Sequence, residues 1–266
     1  MNIRLICTDC DDTLLPESHS DLNPEYFEVI RKLQEKGIRF VIASGRQKPS
    51  IKNTFRAMED ELIYLADNGT DITAPDYVDS YPFPEADYKE LVDDLRSFYP
   101  TYEFMACKAD CSYWDQNQQD MYTHMTGVYG YEGEMLADVK NVPGICKISL
   151  YRPQGIEDEV AEFFISKWKA KMDVCLAGDL FLDFMPKGAN KGWGLQKLQE
   201  HYGIKKEETM AFGNAPNDIE MIRQAEYGYA VGNAHPLLKE AAYQVIAPMS
   251  EDGVLLKLKE LLENTE

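Results

Sequence analysis

Three short aliphatic runs near the start of the chain each end in a polar or glycine-containing turn, and this repetition constrains the fold more than any other feature. Ile3-Arg4-Leu5-Ile6-Cys7-Thr8 runs into acids, Ile38-Arg39-Phe40-Val41-Ile42-Ala43 ends in Ser44-Gly45-Arg46, and Leu62-Ile63-Tyr64-Leu65-Ala66 ends in Asp67-Asn68-Gly69. Runs this short and aliphatic predict strands buried on both faces of a parallel sheet. Between the first two, Asn23-Pro24 supplies a capping side chain and a proline at the first helical position. Tyr26, Phe27, Ile30 and Leu33 follow at helical spacing, and Gly37 closes that helix. A second helical stretch precedes the third run. Strands alternating with helices predict a doubly wound α/β domain with a parallel, Rossmann-like sheet.

The same rhythm returns near the other end. Residues 209–212 read as a strand closed by Gly213-Asn214, with a helix over about 217–225. Residues 229–231 and 244–246 read as further strands separated by a helix after Pro236, and a helix over 254–262 ends the pattern. The middle differs. It carries helices at about 85–98 and 156–171, and strands at 102–107, 112–115, 145–151, 174–177 and 180–185, several adjacent with little helix between them. The expectation is therefore one α/β core built from residues 1–81 and 186–266, interrupted by an α+β domain at 82–185, with linkers near 80–84 and 186–188. There are no internal repeats.

Composition narrows the function. Across 266 residues, 27 Lys plus Arg against 46 Asp plus Glu give a formal net charge of −19. Nucleic-acid binding rests on clustered Lys and Arg neutralising phosphates, so nucleic acid is disfavoured as a partner, and so is an anionic membrane surface. No apolar stretch approaches the roughly 18–20 residues of a membrane span, and the start, Met1-Asn2-Ile3-Arg4-Leu5, lacks a signal-peptide profile. The six cysteines fit neither a disulfide framework nor a zinc set, since Cys107 and Cys111 have no second pair or histidine at metal-site spacing. Reduced thiols in a cytoplasm are the expectation.

The chemistry concentrates at strand ends, where α/β sheets bind ligands. Asp9 and Asp11 lie two apart at the end of the first strand, in Asp9-Cys10-Asp11-Asp12-Thr13-Leu14. One carboxylate can attack a phosphoryl group and a second can exchange a proton with the leaving oxygen and with water. Acids in this place can also merely cap a helix or solvate a loop. Ser44 brings a hydroxyl, Lys191 in Lys187-Gly188-Ala189-Asn190-Lys191-Gly192 brings a cation to a helix start, and Gly213-Asn214-Ala215-Pro216-Asn217-Asp218 brings the oxygen ligands that Mg²⁺ prefers. Each alone reads as structural. Four such loops in this order do not.

With these loops the sequence resembles the haloacid dehalogenase-like superfamily, specifically the Cof-type phosphatases with a large type II cap inserted between the second and third motifs. Asp9-x-Asp11-x-Thr13-Leu14, Ser44-Gly45-Arg46, Lys191-Gly192 and Gly213-Asn214-x-x-Asn217-Asp218 match the four motifs in turn, over essentially the whole chain. The resemblance implies that Asp9 forms an aspartyl-phosphate and that Asp11 protonates the leaving alcohol and then activates water. It implies Mg²⁺ held by Asp9, the backbone carbonyl of Asp11, Asn214 and, in the surrounding shell, Asp218. Ser44 with Gly45, Lys191 and Asn217 would bind the phosphoryl group, Arg46 would contact substrate phosphate or simply brace the loop, and the cap would close over the site and read the leaving group.

Two positions depart from the family pattern. Asp12 stands where glycine is usual, at a position that varies. Asn214 stands where Asp is expected, and losing one charge beside a divalent ion removes a gross Coulomb term of about 8 kcal/mol at 4 Å and an effective dielectric near 20, most of it offset by desolvation. Weakened Mg²⁺ affinity is the expectation, with Asp12 or Asp218 as compensating groups. Asn68-Gly69 matches a loop of the family and also reads as a simple turn. His19, His124, His201 and His235 show no base or metal partnership, and Tyr102, Tyr113, Trp114 and Tyr122 fit either a sugar-sized pocket or a core. The expected protein is a Mg²⁺-dependent phosphatase acting on a small phosphorylated metabolite, with a sugar phosphate as leading class. A phosphometabolite-binding protein with little turnover and a phosphotransferase or mutase are the alternatives, and oligomeric state is left open.

Overall fold

A computed structural model describes residues 2–16, 22–109 and 111–264; Met1 and His19 lie outside the described residues. The chain opens with β1 (Leu5–Asp9), buried at every position. In α1 (Glu25–Glu35) the buried stripe is Tyr26, Val29, Ile30 and Leu33, with Phe27 only partly covered. The Asn23 side chain caps it, accepting from Glu25 N at 3.1 Å. β2 (Arg39–Ala43), α2 (Lys48–Thr54) and β3 (Ile63–Ala66) complete the expected alternation. Two short strands then follow that sequence patterning does not anticipate, β4 (Asp71–Ala74) and β5 (Tyr77–Ser80).

The middle of the chain supplies α3 (Glu85–Arg96), β6 (Glu103–Lys108), β7 (Cys111–Asp115) and α4 (Gln119–Val128). It continues with β8 (Gly133–Leu136), β9 (Lys147–Tyr151), α5 (Asp158–Trp168), β10 (Met172–Ala177) and β11 (Phe181–Pro186). The α/β rhythm resumes in α6 (Lys191–Tyr202), β12 (Thr209–Gly213), α7 (Ile219–Gln224) and β13 (Tyr227–Ala230). It ends in α8 (Pro236–Ala241), β14 (Gln244–Val245) and α9 (Gly253–Glu263).

Two compact units result. The first comprises Met1–Arg46, Ile51–Asp79 and Asn190–Glu266; the second comprises Ser80–Ala189 together with Gln47–Ser50. The first unit holds one sheet in the order β14-β13-β12-β1-β2-β3-β4-β5. β1 lies between the two chain halves, pairing in parallel with β12 through Cys7 and Ala211 and with β2 through Cys7 and Val41. β3 pairs antiparallel with β4. Strand order reverses at β1, so this is the switch point beyond which α/β sheets bind ligands. The carboxyl ends of β1, β2 and β12 deliver Asp9, Ser44 and Asn214 to that edge.

The second unit is a six-stranded sheet in the order β10-β11-β9-β6-β7-β8. Side chains alternate between faces, as a strand requires. Phe104, Ala106, Ile148, Leu150, Leu182 and Phe184 pack with Leu91, Leu95, Phe164 and Trp168 of α3 and α5. Met105, Cys107, Trp114 and Tyr151 form a separate cluster with Met121 and Met125 of α4. Tyr102 and Trp114 are therefore core residues, Tyr113 packs on the first cluster and Tyr122 on the second. All six cysteines are free thiols. Among the described residues no helix is long and apolar enough to cross a membrane.

One turn ties the first unit together. Gly69 has φ +85° and lies so close to the start of α6 that a Cβ there would sit 2.7 Å from both Asn190 O and Lys191 Cα. A side chain at 69 meets both a left-handed backbone penalty and a backbone clash. Gly69→Ala is expected to destabilise the protein by about 2–4 kcal/mol. Urea unfolding checks this as a lowered midpoint at unchanged slope.

Candidate active site

The site begins with a tight loop. After Asp9 the backbone turns back, Leu14 N donating to Cys10 O at 3.0 Å and Asp12 N to Leu15 O at 2.7 Å. Asp12 takes φ +54° to make that turn. This is why glycine suits the position, and why Asp, which tolerates the left-handed region better than most residues, can replace it. Asn233 holds the strained peptide by donating from Nδ2 to Asp12 O at 2.8 Å.

Lys191 stands at the centre. Its Nζ donates to Asp9 Oδ1 at 2.5 Å and to Asp218 Oδ1 at 2.6 Å. All three side chains are buried. The lysine is the first residue of α6, which Asn190 caps by accepting from Trp193 N at 2.9 Å. Asp218 Oδ2 takes the Asn214 and Ala215 N–H groups, both at 3.0 Å. Asp218 thus spends its oxygens on the lysine and on shaping the loop after β12. Gly213 allows that closeness, since a Cβ there would lie 2.6 Å from Asp218 Cβ.

The other side of Asp9 meets Thr13 and Asn214. The Thr13 hydroxyl donates to Asp9 Oδ2 at 2.9 Å and lies 3.2 Å from Asn214 Oδ1. Two hard oxygen donors from different loops are therefore gathered around one small buried hydroxyl, while the ammonium occupies the opposite oxygen of Asp9. That donor set suits Mg²⁺, which takes oxygen ligands and few carboxylates. Thr13 was quoted within its motif but given no role by sequence reasoning. Its position four residues after Asp9 was the only signal available.

Asp11 and Arg46 form a second pair. Arg46 Nε donates to Asp11 Oδ2 at 2.9 Å and its Nη2 to Asp11 Oδ1, a two-pronged grip that fixes the carboxylate plane. Arg46, for which the sequence leaves open substrate phosphate or bracing of the loop, here grips Asp11. Ser44 is buried and its Oγ accepts from Arg46 N at 3.1 Å. Asn217 Nδ2 donates to Asn68 Oδ1 at 3.0 Å, and Gly45 lies against the same oxygen.

The side chains of the three described histidines engage elsewhere, although His235 N donates to Asn214 O at 2.7 Å. His235 caps α8 by accepting from Leu237 N, His201 stacks on Tyr77, and His124 stacks on Tyr151.

A family model described as haloacid dehalogenase-like hydrolase matches residues 6–258. The chain belongs to that family. Among the haloacid dehalogenase-like relatives, a 5-amino-6-(5-phospho-D-ribitylamino)uracil phosphatase of Escherichia coli is 26% identical, covering 99% of this chain and 98% of its own. An HMP-PP phosphatase of Escherichia coli is 28% identical over 89% of this chain and 86% of its own. A crystal structure from Eubacterium rectale superposes with a TM-score of 0.88 at 32% identity, covering 97% of this chain and 99% of that one.

Electrostatics in this hydrolase's site are set by burial. Asp9 is pushed up to about 7, first by loss of water and then by the Asp218 charge, against the pull of Lys191. The two carboxylates in turn hold Lys191 above its usual value despite its burial. Because the folded state resists ionising Asp9, it keeps a proton that the unfolded chain gives up from about pH 4, and stability falls as pH rises from there to about 7. Asp9→Asn removes this titration and also one partner of Lys191, so in metal-free buffer the fall in stability between about pH 4 and pH 7 is expected to flatten, as thermal unfolding across pH would read.

Proposed function

We propose that this protein hydrolyses a small phosphorylated metabolite through an aspartyl-phosphate on Asp9, with Mg²⁺ as its cofactor. The chain is a phosphoric monoester hydrolase; what is proposed is the residue roles, the metal and the substrate. The observation that carries the reading is the buried contact of Lys191 with both Asp9 and Asp218, beside the oxygens of Asp9 and Asn214 gathered at Thr13.

In this reading an Asp9 oxygen attacks phosphorus as the bond to the leaving alcohol breaks, and Asp11 delivers the proton that alcohol needs. Asp11 then takes a proton from water, whose oxygen attacks phosphorus and frees Asp9. Arg46 keeps the Asp11 carboxyl aimed through both steps. Lys191 stays protonated throughout, offsets charge between nucleophile and phosphate, and is itself held by Asp218. Ser44, Gly45 and Asn217 contribute donors to the phosphoryl oxygens. Asp9, the Asp11 carbonyl and Asn214 would hold Mg²⁺, which supplies charge compensation for the phosphoryl group. Asp218 serves the metal indirectly, by fixing the backbone that carries Asn214.

The substrate proposed is the monophosphate of a small polyhydroxylated alcohol, a sugar phosphate being the leading class. The phosphoribityl compound named for the Escherichia coli relative supports this choice.

Phosphate release from an aryl phosphate and a panel of sugar phosphates, run across a Mg²⁺ titration, tests the reading. Release is expected to require Mg²⁺, to stop on chelation and to fall at least about 10³-fold in Asp9→Asn. Retained turnover in that variant refutes the nucleophile. Asn214→Asp adds the missing charge and is expected to lower the half-saturating Mg²⁺ concentration about tenfold, a net ~1.4 kcal/mol. An unchanged Mg²⁺ dependence would show that Asn214 does not weaken the site.

A further inference from the structure

The turn after β3 holds three consecutive residues at positive φ, Asp67 at 49°, Asn68 at 60° and Gly69 at 85°. Gly69 is explained by its contact with α6. Asn68 is not, because a bare turn needs only a residue that accepts this backbone, and the Asn68 side chain does more. Its backbone N–H donates to Ser44 O at 2.9 Å, while Asp67 N donates to Arg46 O at 3.0 Å. The turn thus grips both ends of Ser44-Gly45-Arg46. Asn68 Oδ1 accepts from Asn217 Nδ2 at 3.0 Å, and a Cβ at Gly45 would lie only 3.2 Å from that oxygen. Asn68 is 6% exposed, whereas Asn217 is open to solvent. One buried amide, 149 residues from Asn217 along the chain, therefore links the loop after β2 to the loop after β12.

The chemistry of that link is specific. A side-chain amide rotates about a soft terminal bond and can present oxygen or NH₂ to a ligand. An acceptor fixed on one side selects NH₂, and one proton of Nδ2 goes to Asn68. The second proton then remains on the same nitrogen for an anion. Phosphate is all acceptor, so presenting oxygen instead would repel it.

We infer that Asn68 is a positioning residue that sets the Asn217 amide as a phosphate donor. The inference rests on the phosphatase reading above and deepens it. Asn68 acts on phosphate affinity through Asn217, not on bond breaking.

The test is a double-mutant cycle at saturating Mg²⁺, with KM for an aryl phosphate, inhibition by inorganic phosphate, kcat and unfolding midpoint all measured. Asn68→Gly keeps the backbone conformation and removes the amide. Asn68→Ser, whose side chain is too short to span the gap, serves as a second variant should the first fold poorly. Each is expected to raise KM and the phosphate inhibition constant about 5- to 20-fold with kcat changed less than about threefold. Asn217→Ala is expected to do the same, and Asn68→Gly combined with Asn217→Ala is expected to be no worse than Asn217→Ala alone. Effects that multiply, or a lowered unfolding midpoint with KM unchanged, would reduce Asn68 to a turn residue and overturn the inference. Asp9→Asn runs alongside: if it stays active the site itself is misassigned, whereas an inactive Asp9→Asn with unaffected Asn68 variants overturns this inference alone.

Discussion

A single ammonium, that of Lys191, is the interaction on which the rest of the first unit depends. Its two carboxylate partners come from distant parts of the chain, Asp9 at the end of β1 and Asp218 after β12, while the cap at Asn190 starts the helix that carries it. Burying an ion costs several kcal/mol unless partners replace its water, and removing one partner of a buried pair costs about 3–5 kcal/mol. The contact therefore holds residues 9, 191 and 218 together, in a sheet where β1 lies beside β12. The interrupted chain has to close its two halves around the lysine. In this sense the site specifies the topology as much as the topology builds the site.

Strain collects at the same edge of the sheet. Four of the positive-φ residues, Asp12, Asp67, Asn68 and Gly69, lie in the turns after β1 and β3. The three that are not glycine are held by partners from elsewhere: Asn233 on the Asp12 carbonyl, and the Ser44 and Arg46 carbonyls on the turn at 67–68. Residues in such conformations cost of order 1–3 kcal/mol each and persist where their surroundings over-determine them. The elevated Asp9 carboxyl belongs to the same account, since its energy is raised by burial beside Asp218. Stability is given up in exchange for a carboxylate whose position is fixed before any ligand arrives.

The strands that build this edge were legible because burial on both faces leaves an unambiguous aliphatic run, as in β1, β2, β3 and β12. The α1 stripe was legible for the analogous reason at helical spacing, except that Val29 rather than Phe27 completes it. What escaped was short or half-exposed. β5 alternates half-buried and exposed positions over four residues, Tyr77–Ser80, and is too brief for a pattern to register. α4 carries Thr123, Thr126 and Gly127 among its ten residues and buries only Met121 and Met125, so neither propensity nor periodicity marks it. In the site, Asp9, Asp11, Lys191, Asn214 and Asp218 stood out as charged or amide groups at strand and helix ends. Asn233 did not, Thr13 registered only within its motif, and Asn68 registered only as a family loop or a simple turn, because the bonds that give Asn68 and Asn233 their work run to residues far along the chain. No local spacing encodes a bond from 217 to 68 or from 233 to 12.

The amide at 214 acquires a meaning from the charges around it. Among the paired side chains of the site, three carboxylates (Asp9, Asp11 and Asp218) face two cations (Lys191 and Arg46), a balance of −3 + 2 = −1. In the proposed reaction Asp11 carries the leaving alcohol's proton as substrate enters, which brings the balance to 0; a divalent cation would then make it +2 and a phosphate dianion return it to 0. With aspartate at 214 the same sequence would run −1, +1 and −1. In that reading the asparagine gives up Coulomb attraction for the metal and leaves the loaded site one charge more positive at the moment a dianion must enter. In a chain whose net charge is −19, where the long-range field opposes every anionic substrate, that extra local charge matters more than it would on a neutral protein. With Thr13 still on both oxygens and Asp218 still shaping the loop, the amide at 214 would thus trade metal affinity for phosphate attraction without dismantling the site.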